Sequence, residues 1–205
     1  MSSTRKEYPQ AELSRQLLCD GLLKLMEKTE YKNISVSKLC TAADVARRTF
    51  YRHFETIDDV LRYKLDKITD EFIDYFLLNY HGISLEHIVE IFFTFWEQHR
   101  DFLLLLRKNH LMHVLSDIVL PAMRKGIRQL SLGNNADKPT ADEMLSLSKS
   151  IDEQEQLDYM FFFMSGGIMS LLTRWLDSSD APKAQEMGLI ARNTVCFFAT
   201  DNKKR

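Results

Sequence analysis

The sequence holds little of what interrupts a helix: 7 glycines and 4 prolines in 205 residues. A fold built from many short strands needs such residues at its turns. Their scarcity, beside 13 Phe and 9 Met, excludes a turn-rich sheet protein and favours long helices. Cysteine is equally scarce. Cys19, Cys40 and Cys196 are odd in number and stand at no metal-ligand spacing. They read as reduced, mostly buried, small apolar side chains of a cytosolic protein. The longest apolar stretch, Tyr159 to Leu172, is interrupted by Ser165 and Ser170 and falls short of the ~20 residues a membrane helix needs. The opening MSSTRKEYPQ lacks the apolar core of a signal peptide. A cytoplasmic protein without membrane contact is expected.

Catalytic signatures are missing too. There is no glycine loop to cradle phosphate, no Cys-His or Ser-His arrangement at a known spacing, and no pair of catalytic carboxylates. An all-α enzyme or ligand carrier is therefore the weakest reading, and no cofactor is expected. His110 and His113 stand three apart, with His99 upstream, but no Cys or carboxylate cluster completes a zinc shell, so no metal is expected. Net charge is only −2, yet it is unevenly spread. Residues 1–64 sum to +3 and the rest to −5. A mildly basic head on an acidic body suits a nucleic-acid-binding module attached to a regulatory domain.

What is present is helical periodicity. Leu13, Leu17, Leu18, Leu22, Leu25 and Met26 predict an amphipathic helix over 10–28. Tyr31 and Ile34 follow as packing residues of a connector. Ser35 predicts the N-cap of a short helix through Ala43, with Val36, Leu39, Cys40 and Ala43 inward. Asp44-Val45-Ala46 makes a tight turn, and residues 47–53 form another short helix with Phe50 and Phe54 in the core. Thr56 caps a long helix to about Leu78, with Asp58 and Asp59 at its positive end and Leu61, Leu65, Ile68, Phe72 and Phe76 on one stripe. Helices are expected over 84–98, 100–108 and 111–132, the last kinked or split at Pro121. A polar loop spans 133–151, an apolar helix 153–176, and a final helix runs to about Ala199. Pro182 is expected at the first position of that last helix, with Met187, Ile190, Ala191, Thr194 and Phe198 on one side.

Two short helices meeting at a three-residue turn, residues 35–61, make the helix-turn-helix pattern. The second helix is short enough to enter a major groove about 12 Å wide. Its outer face is expected to carry Arg47, Arg48, Thr49, Tyr51, Arg52 and His53. Three arginines, a tyrosine and a histidine on one side of so short a helix are poorly explained as mere solvation.

The run T-F-Y-R-H-F, Thr49 to Phe54, after Ala42-Ala43 and Val45, resembles the tetracycline-repressor (TetR/AcrR) family. The resemblance implies an all-α fold of about nine helices. A three-helix head over 1–55 would bind DNA, and a helical body over 56–205 would bind an effector and dimerise. It implies that Arg47 and Arg48 face base edges, where Arg bidentate to guanine is the commonest specific contact. Thr49 would touch phosphate or a base, Tyr51 and His53 would grip phosphate, and Arg52 would reach either. Ser35, Val36 and Ser37 lie where the family's other helix start approaches phosphate, with Lys38 close by. A homodimer through residues 153–199 would read a palindromic operator in double-stranded DNA, usually as a repressor released by a small molecule. Some relatives instead act as co-activators through a protein partner. Three departures bear on this: Asp44 replaces the usual turn glycine, Ala46 the usual capping serine, and Ile57 a usual lysine. Asp tolerates left-handed geometry. The lost cap costs typically ~1 kcal/mol. The missing lysine removes about one phosphate contact from the salt slope.

In the body, Phe92, Phe95, Trp96, His99, Met112, His113, Tyr159, Met160 and Phe163 are candidates for an effector pocket, with ordinary core packing as the alternative. Trp96 and Tyr159 stand out because their polar tips need partners when buried. Gly166-Gly167 inside an apolar helix implies close approach of another helix, or a local kink.

Overall fold

The helix boundaries follow the capping chemistry of the chain. The computed structural model describes the backbone of residues 9–79, 85–118, 121–122 and 153–200. Of their side chains it leaves out 9, 85, 153–158, 160, 161, 164, 165 and 195–200. Among the described residues every regular element is helical. In order these are α1 (Pro9–Lys28), a 3-10 turn (Tyr31–Asn33), α2 (Val36–Ala43), α3 (Arg47–His53) and α4 (Ile57–Asn79). They continue as α5 (Leu85–Gln98), α6 (Arg100–Lys108), α7 (112–118), α8 (Glu153–Asp177) and α9 (Ala184–Thr200). The expected all-α class therefore holds. The expected loop 133–151, and most of the expected helix beyond Pro121, lie outside the described residues.

The chain divides into two compact units. One comprises Met1–Ile68 with Leu105–Met112, the other Thr69–Leu104 with His113–Arg205. One point of division falls inside α4, and the first unit also takes in the end of α6.

In the first unit, α1 buries Leu18, Cys19, Leu22 and Met26. Leu13 and Leu17, expected on that stripe, are instead 59% and 40% exposed. The reason lies in Glu12 and Arg15, which share the helical face of Cys19 and Leu22. The Tyr63 hydroxyl of α4 donates to Glu12 at 2.8 Å, and the Lys67 ammonium sits 3.1 Å from the same carboxylate. Arg15 and Lys67 also lie over the Tyr63 ring, 5.6 and 5.5 Å from its centroid. This polar contact turns the first half of α1 so that its leucines face out. Farther along, Gly21 lets α2 approach: a Cβ there would come within 2.9 Å of the Ala43 Cβ.

The end of α6 holds the end of α1. The Asn109 carboxamide accepts from the Tyr31 N–H at 2.8 Å and donates to the Leu105 and Met26 carbonyls. The Lys108 ammonium donates to the Glu27 carbonyl, one of the carbonyls that a helix end leaves without partners. The chain leaves α6 through His110, whose φ of 60° is left-handed. The His110 N–H bonds Arg107 O and the Leu111 N–H bonds Leu106 O, the closure usually made with glycine.

In the second unit, Phe72 packs against Phe92, Phe95 and Trp96, with centroids 5.8, 5.2 and 6.5 Å apart. Arg100 lies 4.2 Å over the Trp175 ring, and the Trp175 indole N–H donates to the Pro182 carbonyl at 2.9 Å. Pro182 therefore stands two residues before α9 and not at its first position. Lys183 occupies the cap, where its N–H bonds the Glu186 carboxylate at 2.7 Å. The buried side of α9 is Ala184, Met187, Gly188 and Ala191, while Ile190 is 40% exposed and Thr194 is exposed too, contrary to expectation. Gly188 sets this rotation, because a Cβ there would meet the Glu86 carbonyl oxygen of α5 at 2.5 Å.

Two outcomes follow for stability. Asn109→Ala orphans a backbone N–H and should lower unfolding free energy by about 1–2 kcal/mol, read from a shifted urea midpoint at constant slope. An unchanged midpoint would remove Asn109 from the account. The Glu12 carboxyl is held below its usual 4.5, first by the Tyr63 hydroxyl and then by Lys67 and Arg15. A lowered carboxyl adds stability above its unfolded value and loses it as pH falls through the folded one. The stability gap between wild type and Tyr63→Phe should therefore be constant above about pH 5 and close below it. A gap independent of pH would contradict this.

Candidate nucleic-acid interface

The surface made by α2 and α3 is positioned by four local devices. Ser35 caps α2, its hydroxyl accepting from the Lys38 N–H at 3.3 Å. Asp44 ends α2 at φ 52° and ψ 44°, the left-handed conformation expected for a residue in place of glycine. Its N–H bonds Thr41 O at 3.3 Å while the Val45 N–H bonds Cys40 O at 2.9 Å, closing the helix. Ala46 stands at the N-cap of α3 without a side-chain bond, so the cap is indeed lost. Thr56 and Asp59 then cap α4 reciprocally: Thr56 Oγ1 accepts from the Asp59 N–H at 3.2 Å, and Asp59 Oδ2 accepts from the Thr56 N–H at 2.8 Å.

Phe50 has no exposed surface and Phe54 is 7% exposed, so α3 presents one side inward. Arg47, Arg48, Tyr51 and Arg52 face out, and Tyr51 is 58% exposed. None of the three guanidinium groups has an ion-pair partner among the described residues. Seven residues of α3 span ~10 Å of axis, which matches a major groove about 12 Å wide. Thr49 is half-buried at the rim. His53 departs from the outward set: its Nε2 is buried and, among the described residues, makes no hydrogen bond. Burial first, then the charges of Arg52 and Arg15, push its pKa below the usual 6.5.

On α2, Ser35, Ser37 and Lys38 are exposed and Val36 is half-buried. The Lys38 ammonium donates to the Asn33 carbonyl at 3.2 Å. A cleft of about 450 Å³ runs between α2 and the start of α3, lined by Ser37, Cys40, Thr41, Asp44, Val45, Ala46 and Arg47. Thr41 was missed by sequence reasoning. Its spacing of four from Ser37 was the available signal, and its hydroxyl donates to the Ser37 carbonyl at 3.0 Å. Ile57, at the start of α4, is half-buried.

The effector candidates differ in burial. Phe92, Phe95 and Trp96 are buried together, and His99 lies 4.6 Å from the Phe95 ring. Met112 belongs to the first unit, and His113 is exposed. Tyr159 and Phe163 are 67% and 82% exposed on α8, which ordinary core packing excludes. The Met160 side chain lies outside the described residues. Among the described residues the Trp96 indole nitrogen is buried without a partner, unlike that of Trp175. Among the described residues no three His, Cys, Asp or Glu are grouped to hold a metal ion, and no helix is long and apolar enough to cross a membrane.

Residues 18–63 match the family model for bacterial regulatory proteins of the tetR family. No curated protein matches the chain. Its fold is similar to that of Lin0861 from Listeria innocua, at 17% identity and a TM-score of 0.69, covering 96% of each chain. It is also similar to a TetR transcriptional regulator from Streptococcus agalactiae, at 15% identity and TM-score 0.60, covering 91% of this chain and 95% of that one. A third neighbour is the dihydroxyacetone kinase operon activator DhaS, at 13% identity and TM-score 0.54, covering 89% of this chain and 94% of that one. Residues 18–63 thus belong to the tetR family of bacterial regulatory proteins, and the chain that carries them has the TetR-type regulator fold.

Proposed function

We propose that the protein is a cytoplasmic, homodimeric regulator that places α3 in the major groove of a palindromic DNA site and acts as a repressor released by a small molecule. The observation that carries this reading is the outward side of α3. Three arginines without acidic partners cluster on seven residues whose opposite side is anchored by Phe50. Mere solvation would not concentrate unpaired guanidinium groups there, and Arg is the residue best suited to bidentate contact with guanine. Residues 1–55 carry the DNA contacts, and residues 56–205 the effector and dimer functions. Arg47 and Arg48 read bases. Arg52, Tyr51, Thr49, Ser35, Ser37 and Lys38 position the head on phosphate and sugar. Val36 supports the start of α2, and His53, with its Nε2 buried, braces the end of α3.

Pairing through residues 153–199 is supported by the exposed aromatic side of α8 and by Leu189 and Ile190, each 40% exposed on α9. An effector site in the body is supported by the Trp96 N–H. A buried donor without an acceptor costs about 1–3 kcal/mol, which a bound acceptor would recover. The aromatic rings around Trp96 favour a flat apolar body on that ligand. A second reading, activation through a protein partner, is favoured by the uncapped start of α3 and by Ile57, both of which weaken DNA contact. DhaS, a neighbour in fold, is an operon activator.

Selection of duplexes from a random library should yield a palindrome. On that site Arg47→Ala and Arg48→Ala should each weaken binding about 10- to 100-fold, the usual worth of a bidentate base contact. Failure to enrich any duplex at low salt would refute the DNA-binding reading, and a stoichiometric protein partner recovered instead would favour the second. Trp96→Phe should leave stability within about 1 kcal/mol of wild type, because the donor it removes is unpaired. A loss of more than about 3 kcal/mol, as for a fully packed core aromatic, would refute the effector role of Trp96.

A further inference from the structure

The cleft between α2 and the start of α3 adjoins the outward side of α3, because Arg47 belongs to both. Hydrogen bonds at the end of α2 fix one of its walls. There the Asp44 N–H bonds Thr41 O and the Val45 N–H bonds Cys40 O. The helix itself is seated on α1, where Gly21 meets Ala43. The cleft is therefore held in shape by the fold. Its lining divides by chemistry. Cys40, Thr41, Val45 and Ala46 carry no charge, and Cys40 is 5% exposed. Thr41 spends its hydroxyl proton on the Ser37 carbonyl at 3.0 Å. Its side chain then has an acceptor oxygen and a methyl left to offer. Ser37, Asp44 and Arg47 are exposed members of the same lining. The Asp44 carboxylate repels phosphate, whereas the Arg47 guanidinium suits the N7 and O6 of guanine. This combination disfavours the sugar-phosphate strand and favours the edge of a base.

In the major groove the apolar group that a base offers is the C5-methyl of thymine. We propose that this cleft receives the C5-methyl of a thymine directly 5′ to the guanine read by Arg47, and that Thr41 selects it. This rests on the DNA-binding reading above and names the base step that the head prefers. Neighbouring bases on a strand are ~3.4 Å apart, so the methyl and the guanine edge lie side by side. A methyl 5′ to a guanine lies against the plane of a guanidinium bound at that guanine's N7 and O6. Arg47 then covers one side of the methyl, and Thr41, Val45 and Ala46 cover the other. Apolar contact with a thymine methyl is what small side chains such as Ala and Thr supply. Cytosine in the same place would lose the methyl and turn an N4 donor toward a site with no need of one.

The test uses the full chain and the tightest duplex selected from the random library. Each thymine 5′ to a guanine is replaced singly by deoxyuridine, which deletes only the methyl. One such replacement in a half-site should weaken binding about 3- to 5-fold, the worth of one buried methyl. Thr41→Ser keeps the hydroxyl and removes the side-chain methyl. It should bring the thymine-to-uracil ratio below about 2-fold, because the two deletions remove the same contact. Thr41→Val keeps the methyl and should keep the ratio. With cytosine at that position, adding a 5-methyl group should strengthen binding. A selected site without a thymine 5′ to a guanine would overturn the assignment and leave DNA binding standing. So would uracil duplexes bound as tightly as thymine ones. A thymine effect that Thr41→Ser leaves intact would overturn the role of Thr41. Failure to enrich any duplex would overturn this inference and the DNA-binding reading together.

Discussion

The burial of Phe50 fixes everything that the head presents. A seven-residue helix has too few contacts to hold its own rotation, and Phe50, with no exposed surface, decides which side faces inward. Phe54, tilted against it at 6.2 Å, and Tyr63, edge-on to Phe54 at 5.6 Å, continue this anchor into α4. Arg47, Arg48 and Arg52 then have nowhere to go but outward. Truncating such a phenyl ring costs about 3–5 kcal/mol, several times what the missing α3 cap costs. The head can therefore forgo a serine at position 46 without losing the helix.

The helix-turn-helix was legible because its signals are local. Ser35, the left-handed Asp44 and the Thr56–Asp59 cap act within a few residues, and the chain behaves there as short-range rules require. The inner stripe of α1 was misread in its first half. Leu13 and Leu17 fit the 3.6-residue period, but the opposing surface on α4 is polar, formed by Tyr63 and Lys67. Periodicity identifies an apolar side; it does not say that a partner exists for each residue on it. The same limit applied to Ile190, where Gly188 and Glu86 decide the rotation of α9.

Beyond the helix-turn-helix the chain was less legible, because its contacts join residues far apart in sequence. Asn109 looks like an ordinary helix-end residue, yet it bonds the backbone 78 positions earlier. His110, which suggested a metal ligand, serves as a left-handed helix stop. The exposed rings of Tyr159 and Phe163 were grouped with the buried rings of Phe92 and Phe95 because hydrophobicity alone cannot tell an exposed ring from one in a core. Both kinds of residue are apolar, and only burial separates them.

The two thiols of the head have a practical meaning. Burial pushes the Cys19 thiol up to about 11, and its S–H points at the Val60 carbonyl 3.8 Å away. Cys40 is buried and raised in the same direction. Cys40 borders the cleft between α2 and α3, whereas Cys19 offers little thiolate at neutral pH, so oxidants and alkylating reagents attack Cys19 only when the helices part. The rate at which Cys19 reacts is then a clock for the opening of the head, readable without introducing any label.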